Sequence, residues 1–496
     1  MSAKKRWAEL SSDHDAVLRR ARRNSRLTIP GLIPEEGQSS STMLTDPFQS
    51  LGSRGVNNLA SKLLLALFPP NTAFFRLQLP DEVLVDLGAQ RSEAENALVQ
   101  LESRGVRKME SAGVRNKLFQ VLKHLIVAGT ALVKTDSIKD LRFWRLDEFR
   151  MVRDPMGRPL ESVICEDVPT SEFSQEDLVA AGAKPDAKSV TVYTMIRWDH
   201  REGRVKWHQE VNQHVIEETR SDVTMKKSPW WVPRWTASDN ENYGRSHVDE
   251  YVGDLISYEA ISEAIVSFAE VAARVIFLRN PNGTTDETDL VEAETGDFVD
   301  GLSEDISLLQ VEKGQDFQVA QAVGADLQER LSAAFLLNTG QIRNAERVTA
   351  EEVRLVAQEL EDALGGVFTV LVDELVQPLV GQLLSEIDLP SGLRKHVTPI
   401  VVTGFEALGR NHTVQRLRAF IGDVAQTLGP QVAAQWINVE EALKRLGSGH
   451  GIEDFADLVK SQDEVNEEQQ AAAARETVQR AAPGVAQEVV SQGLQQ

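Results

Sequence analysis

The feature that most constrains this chain is an apolar stripe of unusual length. Val248, Tyr251, Val252, Leu255, Tyr258, Ile261, Ile265, Phe268, Val271, Ala272 and Val275 follow one another at helical spacing, which marks one face of a helix. Ser246 with Asp249 three residues on forms a capping box that opens it. From Ser246 to about Ala273 such a rod is ~40 Å long at ~1.5 Å per residue, and Asn280-Pro-Asn-Gly283 ends the pattern. Residues 284–325 read as short, acidic and strand-like, with Gly296, Gly301 and Gly314 as punctuation. A second helix is predicted over Asp326–Arg343, carried by Leu327, Leu331, Phe335 and Leu336, and then a loop, Asn344-Ala-Glu-Arg347. Thr349 with Glu352 is another capping box, and Val353, Val356, Leu360, Leu364, Val367, Val370, Leu371 and Leu375 extend a very long helix from it. Gly365-Gly366 and Pro378 lie inside that helix, and either bends it. Two long helices bracketing a small mixed module describe an organisation, not a catalytic pocket.

The rest of the chain reads as mainly α with a smaller β component, an α+β class. At 496 residues it exceeds one ordinary core, so two or more packed units are expected. The first thirty residues alternate Trp7, Leu10, Val17 and Leu18 with Arg19, Arg20, Arg22 and Arg23, an amphipathic helix ending before Pro30. The basic cluster from Arg19 to Arg26 has two readings of equal weight, a solvated face or a contact with a partner or phosphate backbone. Val56, Leu59, Ala60, Leu63, Leu64 and Leu67 write a helix that Pro69-Pro70 stops, and further helices are predicted over 91–111 and 115–133. Between Leu141 and Trp235 the period changes to two in Val190, Val192, Thr194, Ile196 and Trp198, and again in Val205, Trp207, Gln209 and Val211. With His214–Thr219 and the Pro229–Trp235 segment these predict a small antiparallel meander, the prolines placing the last piece at an edge. Helices are also expected at about Asn411–Leu428 and Val439–Leu446, and a Gln-, Ala- and Glu-rich tail from Asp463 is expected to end weakly helical or disordered.

Charge and missing motifs narrow the function. Lys and Arg number 53 against 75 Asp and Glu, a formal charge of −22, which disfavours wrapping of nucleic acid by the whole surface but not a smooth acidic channel along which it slides. One cysteine, Cys165, excludes an intrachain disulfide and a cysteine-rich metal site. Met1-Ser-Ala-Lys-Lys-Arg-Trp7 lacks the apolar stretch of a signal peptide. The strongest apolar runs, Leu63–Phe68 and Leu125–Val133, fall short of the ~20 residues of a membrane span, so a soluble chain made in the cytoplasm is expected. The nine histidines contain no His-Glu-x-x-His. His208 and His214 share strand parity, yet without a placed carboxylate they read as solvent-facing. No phosphate loop is present. Gly447-Ser-Gly-His-Gly451 follows a helix and reads as its terminator, and Asp199–Glu210 has Arg201 and Gly203 where a calcium loop needs oxygen ligands. No catalytic residue, cofactor or metal ligand is expected.

Particular strings then matter more than composition. Leu27-Thr-Ile-Pro-Gly-Leu-Ile-Pro34, Phe48-Gln-Ser-Leu-Gly52 and the run from Gly55-Val-Asn-Asn to Phe68-Pro-Pro70 closely resemble the portal, or head-to-tail connector, of short-tailed bacteriophages. So do Tyr243-Gly-Arg-Ser-His247, Thr295-Gly-Asp-Phe298 and Glu346-Arg-Val-Thr-Ala-Glu-Glu352, in order over roughly residues 15–410. The resemblance implies a dodecameric ring at one capsid vertex of the virion, through which double-stranded DNA enters, driven by a separate terminase, and leaves into the tail. The implied partners are further copies of the chain, the terminase large subunit, a tail adaptor, scaffolding and major capsid proteins and internal core proteins, with no membrane and no enzyme activity. It divides the chain into a wing (1–245, with its β module at 141–235), a first stem helix (246–279), a clip (280–325), a second stem helix (326–343), a channel loop (344–349), a long kinked helix with the rest of the wing (350–430), and a crown and tail (431–496). Arg343, Asn344 and Arg347 become candidates for transient DNA contacts, although pairing of the arginines with Glu346, Glu351 or Glu352 is an equal alternative. Val248, Leu255, Ile261 and Phe268 become candidates for the interface between subunits, because a stripe that long outruns the chain's own small clip and needs neighbouring copies to cover it. A tail adaptor is the alternative within the same class, and a nucleic-acid enzyme lies outside it.

Overall fold

The computed structural model describes residues 2–38, 41–70, 73–80, 91–184, 187–274, 276–309, 314–337, 350–387, 398–401, 409–429, 437 and 442–443. It divides into two compact units, residues 1–404 and 405–496. In the second, the described structure is mainly one helix, Gly409–Leu428, which matches the predicted helix there. The expectations for Val439–Leu446, apart from 442–443, and for the tail after Asp463 lie outside the described residues, as does the predicted loop with Arg343, Asn344 and Arg347.

The first unit starts with helices α1 (Ala3–Glu9) and α2 (Ser11–Leu27). Then come α3 (Leu51–Leu67), strand β1 (Phe75–Gln78), α4 (Arg91–Ser111) and α5 (Val114–Ala128). α5 stops short of the predicted 133 because Gly129 turns left-handed at φ +81°, and Leu132–Lys134 becomes strand β2. Gly129 is also where backbone meets backbone. A Cβ there would lie 2.4 Å from the carbonyl oxygen of Gly244, and a Cβ on Gly244 would lie 2.6 Å from that of Gly129. Gly244 N donates to Thr130 Oγ1 at 2.8 Å. Only a glycine pair admits this approach, which gives Tyr243-Gly-Arg-Ser-His247 a structural reason.

The β part is larger than predicted. Strands β3 (Arg142–Trp144), β4 (Phe149–Arg153) and β5 (Pro159–Pro169) precede the short helix α6 (Gln175–Ala180). Strands β6 (Ser189–Asp199), β7 (Arg204–Val211), β8 (His214–Thr224) and β9 (Trp230–Trp231) follow. β4 to β8 form one five-stranded antiparallel meander in sequence order. The Trp230–Trp231 segment, expected to complete it, does not. It pairs with β2 at the edge of a three-stranded sheet ordered β3-β2-β9, where Pro229 and Pro233 contribute carbonyls, to Thr135 N and Ala131 N, and need give no N–H. His208 and His214 do not converge. His208 bonds Glu210 at 3.0 Å and His214 lies 4.0 Å from Asp177.

From Ser246 the chain forms a long helical hairpin. α7 (His247–Ala272) leaves the body. At the tip, β10 (Ile276–Arg279), α8 (Glu287–Glu292) and β11 (Ile306–Leu309) form a small module, and α9 (Gly314–Ala334) returns antiparallel to α7. Both predicted helices change their bounds. Ile276–Arg279 pairs with Ile306–Leu309 and so leaves the first helix, while Phe317 and Gly324 pack on α7 and extend the second helix twelve residues towards the tip; at its other end the second helix stops at Ala334, not Arg343, where the chain turns left-handed at Leu336. Gly314 and Gly324, read as part of a strand-like stretch, are helical.

The long C-terminal helix is two. α10 (Ala350–Leu364) ends at Gly365, φ +49°, and α11 (Gly366–Ser385) follows. Residues 372–376 of α11 widen into a π-turn just before Pro378, whose ring has no N–H to give and crowds the carbonyl one turn back. α11 is long and apolar enough to cross a membrane by length and composition. Asp373, Glu374 and Pro378 interrupt its apolar run in the sequence. Its Phe368, Leu371, Leu375, Val376, Leu379, Val380 and Leu383 lie in the protein's main core with α3, α5 and the base of α7, so it serves as a core helix. β12 (Thr398–Val401) closes the unit by pairing with β1.

Candidate functional site

The surface that the sequence singled out is the hairpin, and its root determines where it points. At the root the capping box is formed. Ser246 Oγ accepts Asp249 N at 3.1 Å, and Asp249 Oδ2 accepts Ser246 N at 3.0 Å. Asn24 Nδ2 joins both, at 3.1 Å to Ser246 Oγ and 2.8 Å to Asp249 Oδ1. Arg20 and Arg23 approach the same carboxylate at 3.1 and 3.9 Å. Arg22 donates to the Pro34 carbonyl at 2.8 Å, and Arg26 pairs with Glu35 at 3.2 Å. Four arginines of the basic cluster therefore anchor α2 to the hairpin root and the following loop, which is a third outcome beside the solvated face and the phosphate contact. Arg19 is exposed.

The opposite side of the root is aromatic. His247 stacks edge-on against Trp235 and Phe335, each at 5.3 Å, and its Nε2 lies 3.0 Å from the Ala334 carbonyl. Burial drives its pKa down to about 4, so the ring is neutral at physiological pH. Phe335, fully buried, lies against α3 at Gly55, where a Cβ would come within 2.6 Å of the ring. The run from Gly55 and Tyr243-Gly-Arg-Ser-His247 thus meet in space, since α3 carries Gly55, Asn58 and Lys62 to the same node as His247.

Along the hairpin, the two helices cover each other. Phe268 stacks on Phe317 at 5.2 Å, Ile261 faces Gly324, and Arg330 pairs with Asp254. This corrects two of the four interface candidates. Val248 and Leu255 are fully buried within one chain, and Ile261 and Phe268 are half-buried against α9. Val248 and Leu255 sit in the main core with Leu331 and Phe335, while the extra turns of α9 from Gly314 bring Phe317 and Gly324 against Phe268 and Ile261. A different apolar set remains in solvent, Ile256 (46% exposed), Val266 (42%) and Val271 (50%) on α7 with Val319 (64%) and Val323 (45%) on α9. By helical phase the three α7 residues lie on the side away from α9.

The tip module is held by Asp305. Its Oδ2 accepts Thr284 N at 2.9 Å, Thr285 N at 3.1 Å and Thr285 Oγ1 at 2.9 Å, and these bonds keep its pKa below the usual carboxylate value. Around this clamp the surface is apolar and acidic at once. A cavity of about 570 Å³ is lined by Phe277, Leu290, Val291, Val299, Leu302 and Ile306 among others. Val291 is 84% exposed and Phe298 fully so. Residues 280–309 hold nine carboxylates and no lysine or arginine. Among the described residues no three metal-ligating side chains lie together.

Sequence reasoning missed Asn58 and Lys62. Both sit inside a run read as apolar helix, four residues apart on its buried face, and a lysine at a core phase was the signal available. It also missed the attachment of the β part to α11. Glu374, in the π-turn, accepts Arg234 N at 2.9 Å and Nε at 3.1 Å, and Arg153 is buried beside Arg234. Loss of water and the neighbouring charge pull the Arg153 pKa down to about 10.

Comparison with known proteins matches the bacteriophage head-to-tail connecting protein family over residues 1–455. The portal protein of Enterobacteria phage T3 is 37% identical over 466 residues, covering 91% of this chain and 87% of that protein. The portal protein of Escherichia phage T7 is 36% identical over 468 residues with the same coverage. That of Pseudomonas phage phiKMV is 30% identical over 512 residues, 98% of this chain and 96% of that one. A chain from the neck of an empty gene transfer agent particle aligns with a TM-score of 0.38 at 12% identity, covering 80% of this chain and 89% of that chain, a likeness too slight to add to these. The matching residues span the body, the hairpin and its tip alike, and this chain belongs to the bacteriophage head-to-tail connecting family.

Proposed function

We propose that the chain acts as a portal subunit, closing with identical neighbours into a ring, a dodecamer in the virion, at one capsid vertex. DNA passes through the central hole on packaging and on ejection. As a member of its family the chain joins head to tail. The observation that carries the ring is a set of exposed apolar side chains on the outward faces of the hairpin, Ile256, Val266 and Val271 on α7 and Val319 and Val323 on α9. Apolar side chains on both outward faces suit a contact in which α7 of one copy meets α9 of the next. One heterologous contact repeated by rotation covers them on every copy without leaving an end.

In this reading α7 and α9 are the stem and the module between them is the clip, with residues 314–325 moved from clip to stem. The body up to Arg245, together with α10 and α11, is the wing, and residues beyond 430 are the crown. The clip faces the terminase during packaging and the tail adaptor afterwards, and Phe298 with its acidic surroundings suits a partner that brings an apolar anchor with basic flanks. Arg343 and Arg347 meet DNA phosphates transiently while the formal charge of −22 per subunit discourages adhesion. The chain itself performs no chemical step, and the ATPase is a separate protein. Electron microscopy of the purified protein with symmetry classification tests this. Rings with an axial hole, built from projecting two-helix stems, are expected. Monomeric particles, or rings with the hairpins pointing freely into solvent, refute it.

A further inference from the structure

The end of α9 carries a second device. Leu336 adopts φ +55°, a left-handed conformation that helix ends normally give to glycine. Leu337 N bonds Ser332 O at 2.8 Å and Leu336 N bonds Ala333 O at 3.1 Å, so the helix ends in a Schellman-type turn with a leucine at its strained position. Two side chains of α3 hold that turn. Asn58 Nδ2 donates to the carbonyls of Phe335 at 3.0 Å and Leu336 at 2.9 Å. Lys62 Nζ donates to the Leu336 carbonyl at 3.0 Å and meets both Glu359 oxygens of α10, at 3.2 and 3.1 Å. Lys62 is 1% exposed. A buried ammonium needs such partners, and its charge lies at the carbonyl end of α9, where it complements the helix dipole.

We infer that Asn58 and Lys62 are positioning residues that clasp the last turn of α9 to α3 and α10, and so fix the direction in which the chain leaves the hairpin. A left-handed leucine is retained because the clasp over-determines it. The use of the clasp in DNA passage rests on the portal reading. The clasp itself does not.

Two arms separate these. In the first, amide hydrogen exchange is followed at Leu336 and Leu337 in the full-length protein. Asn58→Ala, and separately Lys62→Met, should speed exchange there by about tenfold, the scale of one or two lost hydrogen bonds, while amides of the tip strands stay unchanged. Adding Leu336→Gly, which makes the left-handed turn free of strain, should restore protection, which a general loosening of the core would not allow. Asn58→Ala removes no charge and keeps the test interpretable if Lys62→Met fails to fold. Unchanged exchange at 336–337 in folded Asn58→Ala protein, or failure of Leu336→Gly to restore protection, overturns the clasp. In the second arm, DNA packaged per particle is measured with Asn58→Ala, with the glycine variant as rescue. A drop that Leu336→Gly reverses supports use of the clasp in passage, and full packaging with exchange accelerated overturns that use while leaving the clasp standing.

Discussion

Replacing Val266 and Val319 together by aspartate strikes the exposed apolar set without touching the core of the subunit. Val266 is 42% and Val319 64% exposed, and fully burying a valine is worth about 2 kcal/mol. Covering their exposed parts by a neighbour therefore contributes about 2 kcal/mol per interface, or about a 30-fold change in affinity. Two unpaired carboxylates enlarge the loss, because each must be desolvated against an apolar surface. In a ring every subunit suffers the change at both of its neighbours, so the assembly fails more sharply than any one contact. Sedimentation velocity over a dilution series is the assay. The variant should populate a folded monomer at concentrations where the parent is closed, and its circular dichroism should be unaltered. Val266→Leu is the control and should assemble normally. A double aspartate variant that forms rings at the parental concentration would refute the reasoning, and the apolar set would then face solvent or another partner.

Other expectations follow from the same geometry. Glu374→Ala leaves the buried Arg234 without its carboxylate and should destabilise the fold by about 3–5 kcal/mol, read as a lower midpoint in denaturant; an unchanged midpoint contradicts the anchoring role. His247 and His124 have pKa values pushed down by burial to about 4 and about 3 from 6.5. The unfolded chain therefore binds protons that the folded one refuses, and stability should fall as pH drops from about 6.5 towards 4, by up to ~3 kcal/mol per pH unit for the pair. Equal thermal stability at pH 7 and pH 5 would contradict this. Deleting residues 286–305 removes Val291, Phe298 and Leu302 but spares β10 and β11, so rings should persist while tail attachment is lost. Disappearance of the rings would make the segment part of the assembly core. Arg343→Ala with Arg347→Ala should lower the DNA packaged per particle, and unchanged packaging with normal viability removes these residues as phosphate contacts.

Local signals in the sequence carried the elements where local physics decides. The Ser246–Asp249 box, the helix stop at Pro69-Pro70 and the period-two strands β6 and β7 all form where their residues dictate. Tertiary pairing decided the rest. Ile276–Arg279 continues a helical pattern, yet it becomes a strand because Ile306–Leu309 lies opposite. Gly324 falls in the stretch read as strand-like, yet it is helical, with Ile261 packed beside it. Two of the interface candidates, Val248 and Leu255, lie in the core beside Leu331 and Phe335. With the start of α9 set twelve residues late, Phe317 was lost as the partner of Phe268, and the exposed Val266 and Val319 stayed outside the stripe. Asn58 and Lys62 gave little sign of their role because their partners, the Phe335 and Leu336 carbonyls and Glu359, lie nearly three hundred residues away, and only the core phase of the lysine pointed to them. Two of the strings that resembled a family hold glycines at close approaches, Gly55 against Phe335 and Gly244 against Gly129, where no side chain fits.

The most direct test of the account is native mass spectrometry of the purified wild-type chain across a wide concentration range. The account predicts closed assemblies at a fixed multiple of the 54.9 kDa subunit, with monomer appearing only on strong dilution. A compact, folded single chain at every concentration would contradict it.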